Sequence, residues 1–261
     1  MIAIIAATAL FASIIGAVIG IGGGVIIKPV LDMMGVMSVA EASFLSGATV
    51  LCMSAYSVIK NSVSKTQTLD MKTALALSLG AAAGGIAGKQ IFSYISGLFT
   101  NSDTVGAVQA AALFALTALT LVYTLKTDNI KTRHIKNGAV SAAGGLFLGI
   151  CSSFLGIGGG PINIMILSYL FSFDAKTTAM YSLFIIMVSQ IASIVLQVVT
   201  ASVPPFSPAV LAVMAVCAVL GGIIGRFINS KIDNKRVDKL FIVMIALIMC
   251  ICAYNFCRFA L

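Results

Sequence analysis

GIGGG occupies positions 20–24, and the same five residues return at 156–160. Each copy closes a long uncharged run. Glycine weakens a helix by ~1 kcal/mol relative to alanine, so four glycines in five residues end one. Two helix breaks therefore lie in the most apolar parts of the chain.

Around those breaks, 60% of the 261 residues are hydrophobic and 9% are charged, and the mean hydropathy is +1.10. Soluble domains carry roughly 25% charged residues. Residues 137–173 and 177–225 hold no acidic or basic side chain, and about 20 such residues span a bilayer as a helix. The composition implies an all-α polytopic membrane protein and excludes a soluble domain. The net charge of +8 sits mainly in short loops between apolar runs, as membrane topology requires, so it does not point to nucleic acid. The N-terminal run 1–20 has no basic start of the signal-peptide kind and leads straight into the first GIGGG, so it is expected to be retained.

The two glycine clusters belong to a longer repeat. At a constant offset of 136, Gly20–Gly24 overlays Gly156–Gly160, Ser46 overlays Ser182, and Ser57 overlays Ser193. GGIAGK (84–89) matches GGIIGR (221–226) at an offset of 137. The chain reads as a first membrane repeat (1–126), a basic linker (127–136) and a second membrane repeat (137–261). Each repeat holds an apolar run into the glycines (2–19; 138–155) and a short segment (24–35; 160–171). Three spans follow in each: 39–60, 73–92 and 104–125, then 175–199, 208–228 and 238–257.

Loop charge sets the orientation of the halves. Loop 60–72 holds Lys60, Lys65 and Lys72, whereas its partner 201–208 holds no cation. Loop 89–104 has Lys89 alone, whereas its partner 226–239 has Arg226, Lys231, Lys235, Arg236 and Lys239. Equivalent loops carry opposite bias, which predicts inverted-topology repeats. Each would have a Gly-broken re-entrant helix pair plus three transmembrane spans. Placing 60–72, 126–137, 171–176 and 226–239 in the cytoplasm puts 13 of the 16 cations inside, and both termini outside. A parallel repeat of four spans each is the rival.

Non-helical backbone survives in a bilayer only where protein or water satisfies its polar groups. Two breaks from inverted halves are expected to meet near the midplane. A short helix starts after each, at Val25 and at Pro161, and proline is favoured in a first helical turn. A helix start offers unpaired N–H groups and the positive end of its dipole, which suits an anion. Transporters with discontinuous helices use such ends. The expected cradle is Gly20, Gly22, Gly23, Gly24 and Val25 with Gly156, Gly158, Gly159, Gly160 and Pro161. Candidate hydrogen-bonding partners are Ser46, Thr49, Ser182, Gln190 and Asn163. Hydroxyls in spans also bond their own backbone, so the serines and threonines have two open readings. Lys28 either neutralises the anion, as its membrane depth allows, or snorkels to the surface. Glu41 has two readings, a carrier of a coupling proton and, favoured, a helix-start carboxylate. The glycines of GGIAGK and GGIIGR are read as packing positions.

Other chemistry finds little support. The glycine clusters lack the lysine and hydroxyl residue of a nucleotide loop, so ATP-driven transport would need a separate subunit. Six cysteines (52, 151, 217, 250, 252, 257) form no CxxC pair, which leaves Cys151, beside the second break, as a minor redox candidate. His134 lies in the basic linker and reads as solvated. No cofactor and no metal are expected. A passive anion channel on the same helix ends is the alternative to a carrier.

Two GIGGG boxes, the second extended to GIGGGP, in halves of about 130 residues that share GGIxG[K/R] helices, resemble the TauE/SafE sulfite exporter family. The resemblance covers essentially the whole chain. It implies transport of a small sulfur-containing anion (sulfite, thiosulfate or an organosulfonate such as sulfoacetate) across a bacterial inner membrane, with a proton or sodium as a possible coupling ion. It fixes neither the anion nor the direction.

Overall fold

The computed structural model describes residues 1–64, 67, 69–99, 102–127, 130, 132–135, 137–157 and 159–260, the side chains of Ser102 and Ala260 aside. Among the described residues it holds ten α-helices and no strand. They are α1 (Ile2–Ile19), α2 (Gly24–Met34), α3 (Val39–Ser64), α4 (Met71–Leu98) and α5 (Ser102–Leu125), then α6 (Gly138–Leu155), α7 (Pro161–Phe171), α8 (Ala175–Val199), α9 (Pro208–Lys231) and α10 (Asn234–Ala260). All except the 11-residue α2 and α7 are long and apolar enough to cross a membrane.

Caps set where several helices begin. Asp70 accepts from the N–H groups of Lys72 and Thr73, Asp174 from those of Lys176 and Thr177, and Asn137 from that of Ala139. The Ser38 hydroxyl takes the Glu41 N–H at 3.2 Å. Glu41 is therefore a first-turn carboxylate, as expected, in a Ser-x-x-Glu start. Spans expected at 39–60, 73–92, 208–228 and 238–257 run several residues longer. Helices continue through their polar ends, whereas hydropathy marks only their apolar middles.

Glycines set the tightest helix contacts. A β-carbon at Gly80, Gly84 or Gly88 of α4 would collide with the carbonyls of Ala142, Leu146 and Ile150 of α6 in turn. On the other side, Gly221 and Gly225 of α9 press on Leu10–Ile14 and Ile14–Ala17 of α1. Both pairs run parallel, because residue numbers rise together. Small residues let helices approach closely in lipid, so the packing role expected of GGIAGK and GGIIGR is observed. Each pair joins the first helix of one half to the fourth helix of the other.

Helices α3 and α8 cross the centre in opposite directions. Gly47 faces the Gln190 side chain, while Gln67, beyond the end of α3, meets Thr177 at the start of α8. Helices α5 and α10 are also antiparallel, with Gly106 at the start of one against Phe259 at the end of the other. Each short helix doubles back on the helix before it. Gly23 backs onto Ala12 and Ser13, and Arg258 donates to the carbonyls of Asp32 and Met33 where α2 finishes. Helix α7 ends beside the linker, where Arg133 N–H bonds the Tyr169 carbonyl.

The bundle thus has a linker end, with Gln67, Thr177 and Asn234 close together, and a termini end, where α10 finishes beside α2. Both short helices are sunk into the core. Val25, Ile27 and Leu31 of α2 pack with Ile19, Leu45 and Ile245. Ile162 and Leu167 of α7 pack with Leu77, Leu148 and Tyr181.

Candidate functional site

Each break is built from left-handed glycines. Gly20 ends α1 at φ 84 and bonds the Gly16 carbonyl, Gly22 sits at φ 73, and Gly23 caps α2. Gly156 ends α6 at φ 65 and Gly159 sits at φ 135. Side chains rarely adopt such values. Gly160 is extended and caps α7 with Pro161 in the first turn. Gly158 lies outside the described residues.

The two breaks touch. A β-carbon at Gly24 would strike the Ile157 carbonyl and come 2.9 Å from the Ser46 hydroxyl oxygen. Val25 is the neighbour of Gly160 across the contact. The first carbonyl to accept in α2 is that of Gly23, bonded by the N–H groups of Ile26 and Ile27. The N–H groups of Gly24 and Val25 precede those bonds. In α7 the Asn163 N–H bonds the Gly160 carbonyl, and Ile162 supplies the leading N–H because proline has none. Two positive helix ends therefore converge between α3 and α8.

The polar candidates divide into groups. Ser46 donates to the Gly24 carbonyl at 3.3 Å, and the Asn163 amide donates to Ser182 at 3.3 Å. These three side chains line the junction of the breaks, and all are buried. The Asn163 carbonyl oxygen has no hydrogen-bond partner. Turning that amide over would let it accept from Ser182 and present its N–H₂ to the junction. Thr49, Ser54 and Ser189 bond carbonyls of their own helices, so their backbone reading prevails in this structure. Lys28 points away, into a buried pair with Asp32 at 2.6 Å beside Asn255 and Cys252. It neither snorkels nor reaches the junction. Cys151 is half-buried beside the core around α7.

Gln190 leads to a second layer. It lines a cavity of about 20 Å³, enough for one water, with Gly156, Lys89, Gln109, Ser193 and Gln197. Lys89 and Phe92 also line a vestibule of about 440 Å³ that lies toward the termini end. At the linker end, Arg226, Asn61 and Asn229 line a cavity of about 70 Å³ beside Ala17 and Ala179. Gln190 was a candidate in the sequence, and Ser193 stood out only as the repeat partner of Ser57. Gln109 and Gln197 went unnoticed because they lie in apolar helices away from the glycine breaks and the repeat matches that drew attention. Lys89 and Arg226 carried a signal, since each ends one copy of the GGIxG motif.

Outside the spans, two capping carboxylates are held below the usual value for aspartate. For Asp70 the main cause is the Thr73 hydroxyl, helped by the Lys72 and Thr73 N–H groups. Burial pushes Asp174 up, but the Thr177 hydroxyl and the backbone N–H groups outweigh it.

Comparison with known proteins points to a membrane transporter. The chain is similar to the "Probable membrane transporter protein YunE" of Bacillus subtilis (strain 168), at 25% identity over 268 residues, 94% of this chain and 95% of that protein. No solved structure gives a significant match. The family model for the sulfite exporter TauE/SafE matches residues 5–251, so the chain belongs to the TauE/SafE family of multi-pass membrane transporters, which are not enzymes.

Proposed function

We propose that the protein is a secondary transporter that moves a small sulfur-containing oxyanion by alternating access across a bacterial inner membrane. The observation that carries this reading is the meeting of two helix starts at the junction of Gly24 and Ile157. Helix starts favour anions, and glycines let a ligand approach the backbone. The family's name supplies the sulfur oxyanion class. Cradle N–H groups from Val25 and Ile162 would hold it, with Ser46, Asn163 and Ser182 completing its bonds.

The repeats are inverted in this reading. Support comes from the antiparallel pairing of the equivalent helices α3 with α8 and α5 with α10. The α1–α2 hairpin enters from the termini end and the α6–α7 hairpin from the linker end. The linker end is cytoplasmic and both termini are outside, by the positive-inside rule. The two halves then rock about the junction, in the manner of other repeat-built carriers.

The test is flux into liposomes holding purified protein, with radiolabelled sulfite, thiosulfate and sulfoacetate. The carrier reading expects saturable, gradient-driven uptake of at least one. Fast, unsaturable conductive flux would establish a channel instead. Cytoplasmic activity of a reporter fused after Leu261 would overturn the orientation.

A further inference from the structure

Three cavities outside the junction carry no carboxylate among their lining residues: the 20 Å³ cavity, the vestibule and the linker-end cavity. Two of them are related by the repeat. Lys89 and Arg226 correspond at the offset of 137, and Gln197 and Asn61 at the offset of 136. So do Gly47 and Leu183, and the first of each pair lines one cavity, the second the other. Each cavity also adjoins the first glycine of a break. Gly156 lines the one, and Ala179, which presses on Gly20, lines the other. The repeat has therefore placed one cation in a polar recess on each side of the junction.

The recess with Lys89 holds unpartnered polar groups. Turning over the Gln109 and Gln197 amides, whose N–H₂ groups bond the Phe154 and Ser193 carbonyls in this structure, would aim donors into it. The Ser153 hydroxyl and the side-chain carbonyls of Gln109 and Gln197 are all more than nine-tenths buried and lack a partner. All three residues line the cavity. The Lys89 ammonium lies 4.9 Å from the centre of the Phe92 ring. Its counterpart is held differently. Arg226 donates to the Ser57 carbonyl at 2.7 Å and to the Ser64 hydroxyl at 3.4 Å. The carbonyl equivalent to Ser57, that of Ser193, is instead bonded by Gln197. One cation faces an open vestibule while the other is latched to α3.

We infer that Lys89 and Arg226 are equivalent oxyanion-binding subsites, one at each mouth, that pass the anion to and from the junction. This rests on the transport reading above. A cation half-buried in lipid is costly and functional by default, and a tetrahedral or pyramidal oxyanion is the ligand class that lysine or arginine with amide and hydroxyl donors recognises. Conformational change would exchange the two states, freeing Arg226 as Lys89 becomes enclosed.

Face-specific uptake tests the inference. Radiolabelled sulfite and thiosulfate are presented to right-side-out and to inside-out membrane vesicles containing the full chain. Lys89→Gln is expected to raise the half-saturating concentration about tenfold, the worth of one charge-assisted bond, for anion presented at the termini end only. Arg226→Gln should do the same for the linker end only. Lys89→Arg should restore wild-type values. Should Arg226→Gln fail to fold, Arg226→Lys keeps the charge but not the two-pronged latch, and a twofold to fivefold effect confined to the linker end is expected, roughly the loss of one neutral hydrogen bond. Unchanged half-saturation for Lys89→Gln at both faces overturns the inference, as does an equal loss at both faces that Lys89→Arg does not rescue. Absence of saturable wild-type uptake removes the transport reading itself.

Discussion

The two glycine breaks share five letters but differ in their surroundings. At the first, Gly23 caps α2 and one turn later Lys28 and Asp32 form a buried ion pair. At the second, Gly160 is extended, Pro161 opens α7, and Asn163 bonds Ser182. The positions equivalent to Lys28 and Asp32 are Ile164 and Ser168. GIGGG specifies a helix break, and the residues after it decide what each break carries. One half follows its break with a buried ion pair turned away from the junction, the other with an amide that bonds a hydroxyl at it.

Removing that asymmetry gives the largest expected effect. Asp32→Asn leaves the Lys28 ammonium buried without its carboxylate, and breaking a buried pair from one side costs about 3–5 kcal/mol. Thermal unfolding in detergent should show a large loss. Lys28→Ile with Asp32→Ser gives the first half the residues of the second, and stability should return close to wild type. A double variant as unstable as Asp32→Asn would mean that α2 needs the charges themselves.

A smaller contrast separates the capping ends. Gly24→Ala drives a methyl into the Ile157 carbonyl, and overpacking of this kind costs about 1–3 kcal/mol. Gly160→Ala meets the Ile157 side chain at 3.1 Å and the Val25 side chain at 3.9 Å, in extended backbone. It should unfold within about 1 kcal/mol of wild type. Equal losses at the two positions would contradict the contact geometry. Smaller still, Ser182→Ala removes one partner of Asn163 and should cost about 1 kcal/mol, with weaker anion binding by calorimetry.

The smallest effect is one of pH. Asp70 and Asp174 have carboxyls lowered in the folded state. Their capping contributions are therefore whole above the unfolded value, about 3.9, and fade as the pH falls through the lowered folded one. Thermal stability should decline below pH about 4, and less so in Asp70→Asn with Asp174→Asn.

Much of the fold was legible in the residues because membrane helices write themselves as uncharged runs, and here the runs repeat. The glycine stripes on α4 and α9 were legible for the same reason, since a small residue every turn leaves room for one partner. The site was legible only in part. The breaks and Asn163 stood out against regular helix, and the structure brings Gly24, Val25, Ser46, Asn163 and Ser182 to one junction. Thr49 could not be separated from these in advance, because a span hydroxyl reads alike whether it bonds a ligand or the carbonyl of Leu45. Lys28 was visible as a cation, but its pairing with Asp32 depends on the helical turn between them. Lys89 and Arg226 were visible at the ends of the GGIxG motifs, but their role was not, because the glycines already explained the pattern as packing.

The central claim is that an oxyanion sits where the two breaks meet. Selenite, the heavier analogue of sulfite, scatters anomalously, so a crystal of the full chain saturated with it would mark the site directly. The account predicts a peak within hydrogen-bonding reach of the Val25 and Ile162 N–H groups, between Ser46 and Ser182. Saturable selenite transport with no peak at that junction would contradict it.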